Sequence, residues 1–208
     1  MEVAQPRRVV VATGNAHKVT ELRNILAPWL QKIELVSGAE FEVPEPVEDG
    51  TTFAQNALIK ARAYARATGL PAIADDSGLC VDILGGAPGI FSARWSGAHG
   101  NDAANRQLLL AQLADVPLAN RGAHFHCAAA LVTPEGREEV REGDMPGNLL
   151  TAERGSGGFG YDPIFAPVGF SRSNAELSPE EKDAISHRGK AFAQLAPVIV
   201  QVLAERGQ

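Results

Sequence analysis

The stretch IADDSG, residues 73–78, places two carboxylates side by side at the end of a short apolar run. The run at residues 71–74 predicts a short strand that ends at the acidic pair. If Asp75 and Asp76 are both extended, their side chains point to opposite faces and have different roles. We assign Asp76 to a functional site because it directly precedes Ser77-Gly78. Asp75 is then expected to cap a turn or to fix a neighbouring side chain.

The segments on either side of this pair alternate between strand and helix patterns. A β-branched run at residues 9–12 leads into an amphipathic helix, and a second helix follows Gly50, with a threonine as its cap. Residues 78–98 are punctuated by Gly and Pro and predict a long loop. A hairpin is expected at residues 124–143. These features predict an α/β fold with a mixed sheet, in a single domain over residues 1–208.

Composition excludes several classes of protein. The 208 residues carry a net charge of −6, whereas nucleic-acid binders usually show a basic patch. No apolar run reaches the ~20 residues of a membrane helix, and the first residues lack the apolar core of a signal peptide. We therefore expect a cytoplasmic protein without nucleic-acid or membrane partners. Cys80 and Cys127 lack CxxC spacing, which predicts buried thiols rather than a zinc site.

Two lysines stand in positions that suit an anionic ligand. The segment TGNAHK, residues 13–18, joins a predicted strand to a helix, where unpaired N–H groups attract anions. Lys18 lies in the first helical turn, where a cation is unfavourable unless a phosphate is bound, although a solvent-exposed lysine is the alternative. Lys60 lies beside the apolar stripe of the second helix, where it either snorkels or faces a buried anion.

A metal site is predicted from oxygen donors. Glu48, in the acidic loop EPVEDG, could supply a second oxygen ligand besides Asp76. The alternative is that Glu48 belongs to a solvated acidic loop without a ligand. Carboxylates near phosphate-seeking lysines, with no His/Cys cluster evident, favour Mg²⁺ over zinc.

Two further segments contain candidate binding residues. Phe159 lies between glycines in GGFGYD, residues 157–162, where local packing is sparse and the ring can stack on a base. His187 and Arg188, in ISHRGK, precede the last helix and its anion-attracting N–H groups. The alternatives are a core histidine and a surface arginine.

Five segments in order resemble one family, the non-canonical purine nucleoside triphosphate pyrophosphatases (the inosine triphosphatase, or XTP/dITP diphosphatase, family). They are ATGNAHK, EDGTTFAQNALIKA, AIADDSGLCVDILGGAPGIFSAR, GGFGYDPIF and EEKDAISHRGKA. The resemblance is to the bacterial members and covers nearly the whole chain. It implies Mg²⁺-dependent hydrolysis of dITP, ITP and XTP to the nucleoside monophosphate and pyrophosphate by a homodimer. It also implies a long mixed sheet with two α/β lobes and the active site in the groove between them.

The resemblance also implies roles for residues at matching positions. It gives Asp76 the acid–base role, makes Glu48 and Asp76 the metal ligands, and counts Lys18 and Lys60 among the catalytic residues. The triphosphate-binding residues are Thr13, Gly14, Asn15, Ala16, His17, Lys18 and Lys60. The nucleoside pocket is formed by Phe159, Gly160, Tyr161 and Asp162, and the other substrate contacts are Ser77, Lys182, His187 and Arg188. Gln55 stands where bacterial relatives often have Glu, which leaves the charge balance near Lys60 open.

Two other functions are compatible with a phosphate site. One is a nucleotide sensor that performs no chemistry, against which the retention of Glu48 and Asp76 argues. The other is a phosphatase that removes only the terminal phosphate. For base selection, donors from Arg188, His187 or the backbone that face the 6-carbonyl of inosine are expected to reject adenine, which carries an amino group there.

Overall fold

This computed structural model describes residues 7–13, 16–30 and 33–206, except for the side chains of residues 16 and 17. A six-stranded sheet and five α-helices account for most of these residues. The strands are β1 (Arg7–Val11), β2 (Ile33–Ser37), β3 (Ala72–Val81), β4 (Gly122–Val132), β5 (Glu138–Leu149) and β6 (Phe165–Pro167). The helices are α1 (Ala16–Leu26), α2 (Phe53–Thr68), α3 (Asp102–Gln112), α4 (Pro179–Ile185) and α5 (His187–Glu205).

The sheet is mixed, as predicted. Its strand order is β2-β1-β3-β4-β5-β6. Strand β1 runs parallel to both β2 and β3, whereas β5 and β6 are antiparallel. The residues Val10 and Val11 of β1 pair with Ala72 and Ile73 at the start of β3. The buried end of β1 therefore lies beside the strand that carries the acidic pair.

Strand β3 is longer than the sequence predicted. It continues through the acidic pair and Gly78 to Val81, so the carboxylates lie in the middle of a ten-residue strand. The apolar residues Leu79, Cys80 and Val81 are buried and continue the strand beyond the glycine. The expected loop at residues 78–98 is also partly structured, because short 3₁₀ turns form at Asp82–Leu84 and Gly89–Arg94.

The chain divides into two compact units. Unit 1 comprises residues 1–76, 128–142 and 188–208. Its core joins small side chains of α2 to the sheet and consists of Val10, Ala12, Ala57, Ala61, Tyr64, Ala65, Ala72, Ala74, Ala128, Ala130 and Val132. Helix α2 ends at Gly69, whose left-handed φ of 66° and N–H bond to the Ala65 carbonyl form a typical C-cap.

Unit 2 comprises residues 77–127 and 143–187. Its core contains larger side chains: Leu79, Val81, Leu109, Leu113, Ala123, Phe125, Met145, Leu149, Tyr161, Ile164 and Phe165. The two predicted thiols, Cys80 and Cys127, are both buried in this unit, as expected. Among the described residues, every helix falls short of the length and apolar character that crossing a lipid bilayer requires.

Candidate functional site

The two aspartates of β3 have different surroundings. Asp75 is buried, with 6% of its surface exposed, while Asp76 is partly buried. Successive side chains of a strand point to opposite faces, so the two carboxylates meet different partners. Asp75 contacts Arg188 and Lys18, and Asp76 contacts Asn56 and Lys60. The two carboxylates therefore lie among different partners, as the alternation of side chains along a strand predicts.

Asp75 is held by a buried guanidinium. Nε and Nη2 of Arg188 donate to Oδ2 of Asp75 at 3.1 and 3.0 Å, and Nη1 donates to Oε2 of Glu21 at 2.7 Å. Nζ of Lys18 lies 4.0 Å from the same Asp75 oxygen. Burial alone would raise the pKa of Asp75, but the cations of Arg188, Lys18 and Lys60 outweigh burial and hold that pKa below its usual value. Asp75 is therefore a permanently charged anchor at neutral pH.

This network gives Arg188 a structural task. Its side chain is 5% exposed, and three of its nitrogens donate to carboxylates. The arrangement supports a role for Arg188 in positioning Asp75 and the first turn of α5. It gives less support to Arg188 as a reader of the purine base.

Asp76 belongs to a second cluster. Its Oδ2 accepts a hydrogen bond from Nδ2 of Asn56 at 3.1 Å, and its Oδ1 lies 3.7 Å from Nζ of Lys60. The same Lys60 ammonium donates to Oε2 of Glu48 at 3.1 Å. Burial raises the pKa of Asp76 because it outweighs the opposing effects of Lys60 and Asn56. Burial would lower the pKa of Lys60, but the carboxylates of Asp76, Asp75 and Glu48 outweigh it and raise that pKa.

The second cluster fits a divalent cation. Glu48 and Asp76 both lie within 4 Å of one ammonium, so a single fixed cation serves two carboxylates. The donors are oxygens, which hard cations such as Mg²⁺ prefer. Glu48 and Asp76 are therefore the described residues of this cluster that could hold such an ion, and Lys60 is the cation that could face a phosphate.

Asn56 is a part of this cluster that the sequence prediction missed. It is 2% exposed, and besides donating to Asp76 it accepts the backbone N–H of Gly50 at 2.9 Å. Asn56 thus connects the carboxylate on β3 to the acidic loop that carries Glu48. The available signal was a polar amide next to Ala57 on the apolar stripe of α2, where a buried amide requires partners.

Unit 2 contains the predicted base-stacking residue. Phe159 is 67% exposed, and Nζ of Lys182 lies 5.1 Å from the centre of its ring. Asp162 organises this turn, since its carboxylate accepts from the Phe159 N–H at 2.9 Å, from Lys182 Nζ at 2.7 Å and from Asn174 Nδ2 at 2.6 Å. A Cβ on Gly158 would collide with the Asp162 carboxylate, so the turn requires glycine there. The result is a ring held out from the surface next to a cation.

Other predicted residues have mainly structural surroundings. Tyr161 is buried, and its hydroxyl donates to the Ser92 carbonyl at 2.8 Å. Gly160 donates its N–H to Asp102 at 2.8 Å. The ring of His187 stacks on Phe125, with centroids 5.2 Å apart. These contacts place Tyr161 and Gly160 in the support of the Phe159 turn.

The predicted phosphate loop is only partly described. Thr13 is partly buried at the end of β1, and Lys18 lies in the first turn of α1 next to Asp75. Gly14 and Asn15 lie outside the described residues, as do the side chains of Ala16 and His17. Ser77 follows Asp76 within β3 and is partly buried.

The fold is a mixed α/β sheet in which β3 presents Asp76 to Lys60 of α2, and Lys60 also pairs with Glu48. The chain belongs to the Ham1 family, whose sequence profile matches residues 9–198. The family resemblance drawn from the five sequence segments is therefore confirmed.

Three known proteins illustrate how similar the relatives are. A dITP/XTP pyrophosphatase of Streptomyces avermitilis is 60% identical over 94% of this chain and 98% of its own. The crystal structure of a nucleoside-triphosphatase (dITP/XTP pyrophosphatase) from Mycobacterium abscessus is 54% identical, covers 91% of this chain and 99% of its own, and superposes with a TM-score of 0.78. A HAM1 protein structure from Coxiella burnetii is 42% identical over 94% of this chain and 99% of its own, with a TM-score of 0.86.

Proposed function

We propose that the protein is an enzyme that hydrolyses non-canonical purine nucleoside triphosphates, namely dITP, ITP and XTP. The products are the nucleoside monophosphate and pyrophosphate. The reaction removes damaged nucleotides from the precursor pool and uses Mg²⁺. One observation supports this function above the others: Asp76, Glu48 and Lys60 form a cluster in a chain that is 60% identical to a dITP/XTP pyrophosphatase.

The proposed metal ligands are Glu48 and Asp76. When bound there, Mg²⁺ supplies positive charge that offsets the charge that develops on phosphate oxygens as the anhydride breaks. Asn56 holds Asp76 at 3.1 Å and is itself anchored on Gly50, so the two proposed ligands keep a fixed relation before the ion arrives. A preformed arrangement of this kind costs little reorganisation on binding.

The residues of the chain supply the rest of the chemistry. A water oxygen bonds to one of the two phosphorus atoms that flank the α–β bridging oxygen, and the bond between phosphorus and that oxygen breaks. Asp76 orients the water and accepts its proton. Because a bound cation lowers the pKa of this carboxyl, orienting the water is its main contribution. Lys60 stabilises negative charge on the departing phosphate group, since a buried cation acts more strongly than an exposed one.

The base and the remaining phosphates are assigned to other residues. Phe159 stacks on the purine, and Lys182 attracts the anionic part of the substrate. The loop from Thr13 to Lys18 binds the triphosphate, with contributions from Gly14, Asn15, Ala16 and His17. Ser77, Gly160, Tyr161, Asp162, His187 and Arg188 complete the substrate-binding set. Of these, Asp162 and Tyr161 act through the Phe159 turn, and Arg188 acts through Asp75.

Product analysis tests this proposal. Purified protein is incubated with Mg²⁺ and either ITP, dITP, XTP, ATP or GTP, and the products are separated by ion-exchange chromatography. We expect the monophosphate and pyrophosphate in equal amounts from the first three substrates, with much slower turnover of ATP and GTP. Repeating the reaction in water that carries a heavy oxygen isotope shows which phosphorus the water attacks.

Two outcomes would replace the proposal with another function. Orthophosphate with the diphosphate would identify a phosphatase that removes only the terminal phosphate. Tight binding of ITP without turnover, at every Mg²⁺ concentration tried, would identify a nucleotide sensor.

The proposal extends to the assembly and the location of the enzyme. We assign it to the cytoplasm, where nucleotide precursors are used, and to a homodimer, as the family resemblance implies. Light scattering of the purified protein measures the mass of the particle and thereby tests the dimer.

A further inference from the structure

Two histidines and an aspartate come together on neighbouring strands of unit 2. His124 and His126 are two residues apart on β4, so both side chains lie on the same face of the sheet. Asp144 lies on β5, the next strand in the sheet order. Exposed and buried residues alternate along this part of β5, and Asp144 is one of the exposed residues. Asp144 is distant in the chain from the HFH segment, so the sequence alone does not reveal this cluster. Strand pairing brings the three together.

We propose that His124, His126 and Asp144 bind a divalent transition-metal ion of the zinc type. One ligand atom from each residue lies within 4.8 Å of the other two. Nδ1 of His126 is 2.7 Å from Oδ1 of Asp144, and the two imidazole rings are nearly perpendicular, at 83°, with centroids 6.5 Å apart. Two imidazoles and a carboxylate are a common donor set for zinc, which leaves a fourth position for water.

The distances are close to those of a bound ion. Bonds of about 2.1 Å in a tetrahedral arrangement place ligand atoms about 3.4 Å apart. The His126–Asp144 pair therefore has to open by about 0.7 Å, and the other pairs, which lie within 4.8 Å, have to close by at most about 1.4 Å. Side-chain rotations achieve shifts of this size while the paired backbones of β4 and β5 stay in place.

The surroundings favour a cation at this place. The carboxylate of Asp82 lies 3.9 Å from Nδ1 of His124, and it extends over Gly122, where a Cβ would collide with it. Burial raises the pKa of the Cys80 thiol to about 11, and the nearby carboxylates of Asp144 and Asp82 add to this effect. A carboxylate next to a ligating imidazole also fixes the orientation of the ring.

The cluster is accessible from solvent and separate from the proposed Mg²⁺ ligands. The side chains of Asp144 and Asp82 are 58% and 66% exposed, so an ion can enter without unfolding. Glu48 and Asp76 belong to unit 1 and offer only oxygens, whereas this cluster belongs to unit 2 and offers imidazole nitrogen. Nitrogen donors select zinc, nickel or copper over magnesium. The ion therefore cross-links β4 and β5 and stabilises unit 2 by binding to its folded form.

The experiment uses the full chain without an affinity tag, stripped of metal by a chelator and titrated with Zn²⁺ alone. Calorimetry and equilibrium dialysis give the stoichiometry and the Kd, and the thermal midpoint is measured with and without the ion. We expect one Zn²⁺ per chain with a Kd in the micromolar range or below, and a raised midpoint. His124→Ala, His126→Ala and Asp144→Asn should each weaken binding by about tenfold or more. His99→Ala is the matched control, because it removes an exposed imidazole outside the cluster and should leave the Kd unchanged.

A measurement on the wild-type chain covers the case in which a variant does not fold. Nitrogen-detected NMR of the imidazoles should show two of the five histidines shifting on addition of Zn²⁺, and these should be His124 and His126. Shifts confined to other histidines would overturn the proposal. So would an unchanged Kd in the folded double variant H124A/H126A, or no binding by the wild type at millimolar Zn²⁺. The cluster is then a hydrogen-bonded histidine–carboxylate pair only.

Discussion

Asp75 and Asp76 are adjacent in the chain, but their carboxylates differ in pKa because their surroundings differ. Asp75 is surrounded by enough positive charge to remain ionised in spite of its burial, so its pKa is lowered. Asp76 is also largely desolvated, but Lys60 also interacts with Glu48, and the pKa of Asp76 is raised. The difference lies in the supply of cations, since both residues have the same side chain. Their substitutions should therefore change different measured quantities.

The substitution Asp76→Asn tests the catalytic role proposed for this carboxylate. The amide keeps nearly the same shape but accepts no proton and binds a cation poorly. We expect kcat for ITP to fall by on the order of a hundredfold or more. Steady-state kinetics at saturating Mg²⁺ measures the effect, and a thermal melt checks that the fold is retained. A variant with kcat near that of the wild type would remove Asp76 from the chemistry.

The substitution Asp75→Asn tests the structural charge through the pH dependence of stability. Because the folded pKa of Asp75 is below its ordinary value of 3.8, the ionised form stabilises the folded state. This contribution is complete above about pH 4 and is lost as pH falls through the folded pKa. At pH 7 we expect the variant to lose about 3 kcal/mol of unfolding free energy, the usual cost of breaking a buried ion pair. The loss should shrink below pH 4.

Urea unfolding of both proteins at a series of pH values measures this difference. Glu138→Gln is the matched control, because Glu138 pairs with Arg62 at the surface at 2.7 Å and such pairs contribute less than about 1 kcal/mol. A difference between wild type and Asp75→Asn that stays constant from pH 7 to pH 3 would contradict the assignment.

At the scale of elements, the start of α2 fixes the loop that carries Glu48. Thr52 caps the helix by accepting the Gln55 N–H at 3.2 Å. The side-chain oxygen of Gln55 accepts from both the N–H and the hydroxyl of Thr51, at 2.7 and 2.9 Å. Gln55 therefore acts in capping the helix. Asn56 adds the bond to Gly50, so consecutive side chains hold consecutive loop residues.

Substitutions of Gln55 should separate capping from charge. Gln55→Ala removes the acceptor and should lower the unfolding free energy by about 1 kcal/mol. Gln55→Glu keeps an acceptor oxygen and adds negative charge at a helix N-terminus, so stability should equal or slightly exceed that of the wild type. Urea unfolding at pH 7 measures both variants. Equal destabilisation by the two substitutions would show that the side-chain oxygen does not cap the helix.

Elements with strong local signals were predictable from the sequence. Strand β1 and helices α1 and α2 follow from apolar periodicity and cap residues, and the structure has them in place. Strands β3 and β5 were predicted too short. Gly78 in β3 and Pro146 in β5 look like interruptions in the sequence, but pairing with neighbouring strands continues the sheet past both.

The candidate site divides in a similar way. Charged residues next to apolar runs indicate a binding partner, so Asp76, Lys60 and Glu48 could be predicted as candidates. The structure brings all three together. Asn56, Glu21 and the pairing of Arg188 with Asp75 depend on contacts between residues far apart in the chain. A single sequence does not show which residues that are distant in the chain lie close together in the fold.

At the scale of the whole molecule, the reactivity of the two cysteines measures how often the folded structure opens. Both Cys80 and Cys127 are buried, and the thiolate is the reactive form of cysteine. The pKa of Cys80 is raised to about 11, so at pH 8 its thiol is almost entirely protonated. We expect iodoacetamide to label the native protein slowly, at a rate set by opening of the structure, and to label both thiols fully in urea. Intact-mass spectrometry counts the labels. Rapid labelling of either thiol without denaturant would contradict its burial.

The order of segments in unit 1 has a consequence during protein synthesis. Its first segment ends at Asp76, yet the guanidinium that neutralises Asp75 is on Arg188, at the start of the final helix. A nascent chain therefore carries Asp75 without that counter-charge until Arg188 has been synthesised. Unit 1 can mature only after α5 has been made, and polypeptides released before then keep an acid whose charge is only partly compensated. Such fragments should be short-lived in the cell, which leaves few truncated copies to compete for nucleotides.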